Sequence, residues 1–178
     1  MISKWFTPSL VEQYSETGAE EIHIPWLDVN NFSGLFNLDL RSIRTTKDLL
    51  HIARDPRHDI LQKTYYLRIT QFNIPEFVGS IQGIEVKVEM NRGGRITDET
   101  VQLCASQQPL GENLANLDLS VKKIYGDETT LWYSAIDSAL IADPSFGVIL
   151  RYQSHPRWPH KTTPLLDVVE MCIHYNPL

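Results

Sequence analysis

The sequence predicts a mainly all-β fold, a sandwich or a barrel, and three observations lead to it. From Lys63 onward the chain runs through short segments rich in β-branched and aromatic residues. One of them, "IQGIEVKVEMNR", sets Ile84, Val86, Val88 and Met90 against Glu85, Lys87 and Glu89, the alternation of a strand with one buried face. Gly- and Pro-containing turns, rather than helical segments, separate these runs, which argues against a βαβ arrangement.

Residues 1–20 show no clear period. Trp5 and Phe6 stand just ahead of a proline, so the segment reads as an N-terminal arm that packs on the domain or reaches a partner. "EEIHIPWLDV" alternates Ile22, Ile24 and Trp26 and reads as a strand. Residues 33–62 break the β pattern. Thr46 can cap a short helix over "KDLLHIAR" that ends at Asp55-Pro56, because the residue before proline resists helical torsions. The strands resume with "KTYYLRITQF", the "IQGIEVKVEMNR" run, "ETVQLCAS", "FGVILRYQ" and "LLDVVEMCIHY". "NIPEFVGS", "QPLGENLAN" and "SHPRWPHKTTP" are loops between them, and "NRGGR" is a hairpin or loop turn. The expected organisation is an arm at 1–20 and a single domain at 21–178 with a helical insertion at about 38–62.

Composition narrows the function. The 178 residues are 42% hydrophobic and 21% charged, ordinary values for a packed domain, and the net charge of −6 comes without a basic cluster. Nucleic-acid binding is not expected. No apolar run approaches the ~18 residues of a membrane span, and the N-terminus lacks the apolar region of a secretion signal. Neither a membrane partner nor Sec export is therefore expected. Cys104 and Cys172 lie in apolar runs without metal spacing and read as buried free thiols.

The motifs that could carry chemistry are weak. His155, His160 and His174, with Asp167 nearby, lack the tight ligand pairs of a zinc site. "GENLAN" and "YGDETT" offer loop oxygens to calcium but without an EF-hand pattern. There is no GxSxG elbow, and "NRGGR" lacks the Lys-Ser/Thr and helix of a phosphate loop. The chain is thus expected to be non-enzymatic, without metal or cofactor. Trp158 and Arg157, in the polar "HPRWPHK" loop, join Trp5 and Phe6 as candidate partner or ligand contacts, since an exposed ring suits a sugar or a protein surface. Tyr125, Gly126, Trp132, Phe146 and Gly147 read as structural corner residues: a tight turn, a large anchor, and a glycine closely packed in a strand.

Six blocks in order, "TYYLRITQFNIPEFVGSIQGIEVKVE", "ITDETVQL", "GENLAN", "YGDETTLW", "DPSFGVIL" and "DVVEMCIHY", resemble a β-sandwich family of structural proteins of tailed bacteriophages. The resemblance spans roughly residues 64–175. It departs at Tyr133, where glycine usually follows Leu-Trp, and at the segment 38–62. It implies an antiparallel, jelly-roll-like sandwich built into a virion assembled in the host cytoplasm. The implied partners are further copies of the chain and other virion proteins, in head decoration, neck, tail or baseplate. The alternative expectation is a carbohydrate-binding module for host-surface glycans.

Overall fold

The computed structural model describes residues 1–15, 22–24, 26–27, 44–45, 62–76, 79–91, 96–132, 135–154 and 165–178. Their strands are β1 (Ile2–Phe6), β2 (Leu10–Tyr14), β3 (Ile22–Ile24), β4 (Trp26–Leu27), β5 (Arg44–Thr45), β6 (Gln62–Thr64) and β7 (Tyr66–Thr70). They continue with β8 (Gly79–Asn91), β9 (Ile96–Ala105), β10 (Gln108–Leu110), β11 (Lys122–Tyr125), β12 (Gly147–Ser154) and β13 (Leu165–Pro177). One short helix, α1 (Ser138–Ala142), precedes β12.

These strands form two sheets, an all-β, sandwich-like fold as expected. The first runs β11-β8-β13-β5-β4, with β1 also on β13. The second runs β10-β9-β12-β6-β3, with β7 on β12 and β2 on β7. Pairing is antiparallel except between β3 and β6. The pairs β1/β2, β8/β9 and β12/β13 are consecutive in the chain, yet the members of each lie in opposite sheets. The chain therefore crosses the sandwich repeatedly, and its core is shared by both sheets.

Alternation decides which side chains enter that core. Ile84, Val86 and Val88 of β8 point inward opposite Ile173, Met171 and Val169 of β13, and all six are buried. Glu85, Lys87 and Glu89 take the outer face and are half-buried. From the second sheet, Leu67, Ile69, Val101, Leu103, Val148 and Leu150 meet them in one apolar cluster. A one-residue slip would exchange the two faces of β8, so burial on one side pins the register.

The turn residues work as close-contact devices. Gly126 has φ 77°, and a Cβ there would lie 2.2 Å from the Ile84 carbonyl oxygen. That same carbonyl accepts the indole N–H of buried Trp132 at 2.9 Å. The Ile84 N–H donates to the Thr130 carbonyl at 3.0 Å, so the 126–132 loop is stitched to β8 from both sides. Gly147 sits between β7 and β9, where a Cβ would lie 2.0 Å from the Ile69 carbonyl oxygen. Phe146 beside it is buried.

Four expectations are changed or left outside. Residues 1–15 are not an arm: β1 pairs with β13 and β2 with β7, one strand in each sheet. Phe6 is consequently a core residue rather than an exposed contact. Of the two readings of "NRGGR", hairpin or loop turn, the hairpin does not form: β8 and β9 lie in opposite sheets and do not pair. The hairpin of this region is β9–β10, turning at Ser106 and Gln107 with φ 48° and 68°. Two successive positive φ values match a two-residue primed turn, here made without glycine. The helix at "KDLLHIAR", most of the insertion, Tyr133, Arg157 and Trp158 lie outside the described residues.

Two outcomes follow. Val86→Asp places an unpaired charge between the sheets and should destabilise the domain by at least about 3 kcal/mol in urea unfolding; wild-type stability would show that the register is wrong. Removing residues 1–15 takes Phe6 and Val11 from the core and bares the edges of β13 and β7. The truncated chain should be insoluble or melt far below the full chain, and a truncation that keeps the original melting temperature would contradict this pairing.

Candidate functional site

The outer face of the first sheet collects charge around one exposed ring. Lys87 Nζ lies 2.7 Å from Glu170 and 3.4 Å from Glu89, and Lys122 reaches Glu89 at 3.0 Å. The hydrogen bond to Glu170 holds the Lys87 ammonium above the usual lysine range. Lys122 and Lys87 together hold the Glu89 carboxyl below its usual range, the Lys122 hydrogen bond being the larger cause. Lys87 also stands 5.9 Å from the ring centre of Trp5, which is 43% exposed on the edge strand β1.

The pairing of β1 with β13 brings together three residues that the sequence keeps far apart. Ser3 Oγ and His174 Nδ1 share a hydrogen bond of 2.8 Å, and His174 Nε2 lies 3.1 Å from Glu85 Oε1. A hydroxyl, an imidazole and a carboxylate in a row are the parts of a hydrolytic triad, but there the acid orients the ring through a directed hydrogen bond. Here the acid is close yet off the line of the ring N–H, and Nε2 makes no hydrogen bond. The row ties the edge strand to the sheet without the orientation that activates a nucleophile.

The opposite edge is apolar. β11 has a neighbour on one side only among the described residues, namely β8. The loop that leads into it is held by its own side chains. Asn113 accepts the N–H groups of Val101 and Ala115 and donates to the Glu99 carbonyl. Asn116 accepts the Asp118 N–H, and Asp118 accepts the Ser120 N–H and O–H. This stiff loop holds apolar side chains in solvent: Leu117 is 70% exposed, Leu119 42%, Val121 58% and, within β11, Ile124 53%. Asn113 and Asp127, loop residues of the segments considered for calcium, spend side-chain oxygens on the protein's own donors.

The outer face of the second sheet is a ladder of cations and rings. Tyr14 and Tyr66 stack with centres 5.0 Å apart, and the guanidinium of Arg151 lies 4.3 Å from the Tyr66 ring. Arg151 is buried and donates to the Thr64 carbonyl and the Tyr66 hydroxyl. Arg68 grips Glu12 of the neighbouring strand through two nitrogens. These cross-strand pairs knit β2, β7 and β12 together.

Between the sheets sits a polar group within the apolar core. Asp98 Oδ2 accepts from Lys123 Nζ at 2.7 Å and from the Tyr125 hydroxyl at 2.5 Å. Tyr152 stands opposite Asp98 in the β9–β12 pairing. Burial pushes both phenols, Tyr125 and Tyr152, well above the usual tyrosine range. It also raises the thiols of Cys104 and Cys172, to about 12 and about 11, so neither is a reactive thiolate.

Of the residues singled out from sequence, Tyr125, Gly126, Trp132, Phe146 and Gly147 fall at turns and in the core, as just described. Trp5 is exposed and Phe6 is not. Trp158, Arg157, His155 and His160 lie outside the described residues. Among the described residues no three His, Cys, Asp or Glu side chains gather as metal ligands, and no helix is long and apolar enough to cross a membrane. Comparison of the chain with family models, curated proteins and solved structures gives no match.

Asp127 offers a direct test of the corner. Its Oδ1 accepts from the Thr129 N–H and O–H, and these bonds pull its carboxyl from 3.8 down to about 2. A depressed carboxyl stabilises the fold above its unfolded value and loses that contribution as pH falls through the folded one. The stability difference between the wild type and Asp127→Ala should therefore shrink as pH drops from 3.8 to about 2. A carboxyl titration followed by NMR should show a midpoint near the lower value; a midpoint near the upper one would mean the turn does not form.

Proposed function

We propose that this chain is a non-enzymatic structural protein of a tailed-phage particle, which joins neighbouring subunits through the β11 edge. The observation that carries the reading is the set of exposed apolar side chains Leu117, Leu119 and Val121 in the hydrogen-bonded loop that leads into β11, with Ile124 on β11 itself. Scattered exposed apolar residues are ordinary, but four within eight residues of chain, next to an edge strand, suit an interface. An edge strand also offers unpaired backbone groups to a neighbour, and a lysine such as exposed Lys122 discourages indiscriminate pairing. The ordered blocks that resemble phage sandwich proteins lend the particle context, and the stitched corners suit a part whose task is to keep its shape.

The purified chain should sediment as an oligomer at micromolar concentration. The double variant Leu119→Lys, Ile124→Lys should sediment as a monomer and melt like the wild type, because both side chains face solvent in the lone chain. An antibody to the chain should label purified particles in electron micrographs. A wild-type chain that stays monomeric and is missing from particles would overturn the reading, and specific retention on a glycan array would replace it with the carbohydrate-binding alternative.

A further inference from the structure

Asp98 belongs to β9 of one sheet and Lys123 to β11 of the other, and their side chains meet in the interior. Nζ stands 2.7 Å from Oδ2, and the two side chains are 6% and 1% exposed. The Tyr125 hydroxyl donates to the same Oδ2. The second carboxylate oxygen, Oδ1, is buried and has no hydrogen-bond partner, and the same holds for the Tyr152 hydroxyl and Thr97 Oγ1 nearby in the strand pairing. A buried ion pair offsets its desolvation only when its remaining lone pairs are also satisfied. This one leaves half of its carboxylate bare.

The arrangement suits a condensation better than a lasting ion pair. The fold holds amine and carboxyl in contact, and positioned groups of this kind reach effective molarities of about 10⁵ M and above. Burial of both side chains restricts the access of bulk water that would hydrolyse the product. The two oxygens are already distinguished. Oδ2 carries both proton donors and is the oxygen that can leave, while Oδ1 is free to become a carbonyl. The Tyr152 hydroxyl, on the residue paired with Asp98, is an unspent donor for that carbonyl.

We propose that Lys123 and Asp98 condense into an intramolecular isopeptide bond, Nζ to Cγ, that ties the two sheets covalently. The ammonium passes one proton along its hydrogen bond to Oδ2. The amine lone pair then attacks Cγ, for which the Asp98 side chain turns about its Cβ–Cγ bond, a soft torsion. The N–C bond forms and the Cγ–Oδ2 bond breaks. Oδ2 departs as water with a second proton from nitrogen, relayed by the Tyr125 hydroxyl, and the amide nitrogen keeps the third. Charge and atoms balance, nothing is oxidised or reduced, and no co-reactant is needed. The bond closes a loop between residues 25 apart, so it restricts the unfolded chain as a disulfide would. Both cysteines here are free.

The test is the intact mass of the full-length chain, folded and then denatured. Its expected mass is one water below that of the sequence, and proteolysis should release a branched peptide joining Lys123 to Asp98. Lys123→Ala should show the full mass of its own sequence. Asp98→Asn should form the same branched product by losing ammonia instead of water, which separates this reaction from dehydration elsewhere. A wild-type chain that is folded by circular dichroism yet has its full sequence mass overturns the proposal. So does a chain that has lost water but yields no branched peptide. Both readings come from the wild type, so a variant that fails to fold does not blunt them.

Discussion

The pairing of β8 with β13 is the constraint on which the first sheet depends. It runs from Gly79 opposite Pro177 to Asn91 opposite Leu165, with two register irregularities along the way. β11 hangs on the free side of β8, while β1 and β5 hang on the far side of β13. The N-terminal strand therefore finds its place only when the C-terminal strand is already in the sheet. Such contacts are distant in sequence and carry a high loop-closure cost. The inward rows of these two strands, from Ile84 to Val88 and from Val169 to Ile173, provide the apolar area that offsets it.

What the central strands bury, the two edges leave open. Among the described residues β1 has a strand partner on one side only and carries Trp5 on its outer face, drawn against Lys87, and β11 likewise carries Ile124. Neither residue is needed to close the core, and each is placed by a neighbour that is. Ser3 and His174 fasten β1, and the Val121 carbonyl accepts the Met90 N–H to extend β11 along β8. Both rim strands are thus fastened by hydrogen bonds to the strands inside them, and an already ordered rim lowers the ordering cost of binding.

The fold was legible in sequence where alternation was strict and local. β8 and the C-terminal strand show their inward rows plainly. β1 and β2 do not, because each has only five residues and a short strand beside an exposed ring offers too few repeats to reveal a period. α1 is hidden in the sequence for a related reason. It is one turn and a fraction long, and its only marker is Asp137, whose carboxylate accepts the Leu140 N–H. The Ser3–His174 contact spans 171 positions, and no spacing rule reaches that far. The corner around Gly126 and Trp132 was visible because glycine after tyrosine and a large ring in a turn have few other uses.

β11 is the strand whose polarity is inverted, and the inversion has a cause. In "KKIY" the apolar Ile124 faces solvent and the charged Lys123 faces the core, opposite to what burial alone would select. A slip of one residue would bury Ile124 and free Lys123. It would also turn Tyr125 outward and leave Asp98 in the core without either of its donors, and an unpaired buried carboxylate costs more than an isoleucine side chain gains. Asp98 on the opposite sheet thus sets the register of the edge strand. The same choice puts a lysine against a carboxylate inside and an isoleucine at the rim outside. The internal pair and the exposed apolar row are two consequences of one register, and Asp98→Ala, which removes the acceptor for Lys123 and Tyr125, should disturb both.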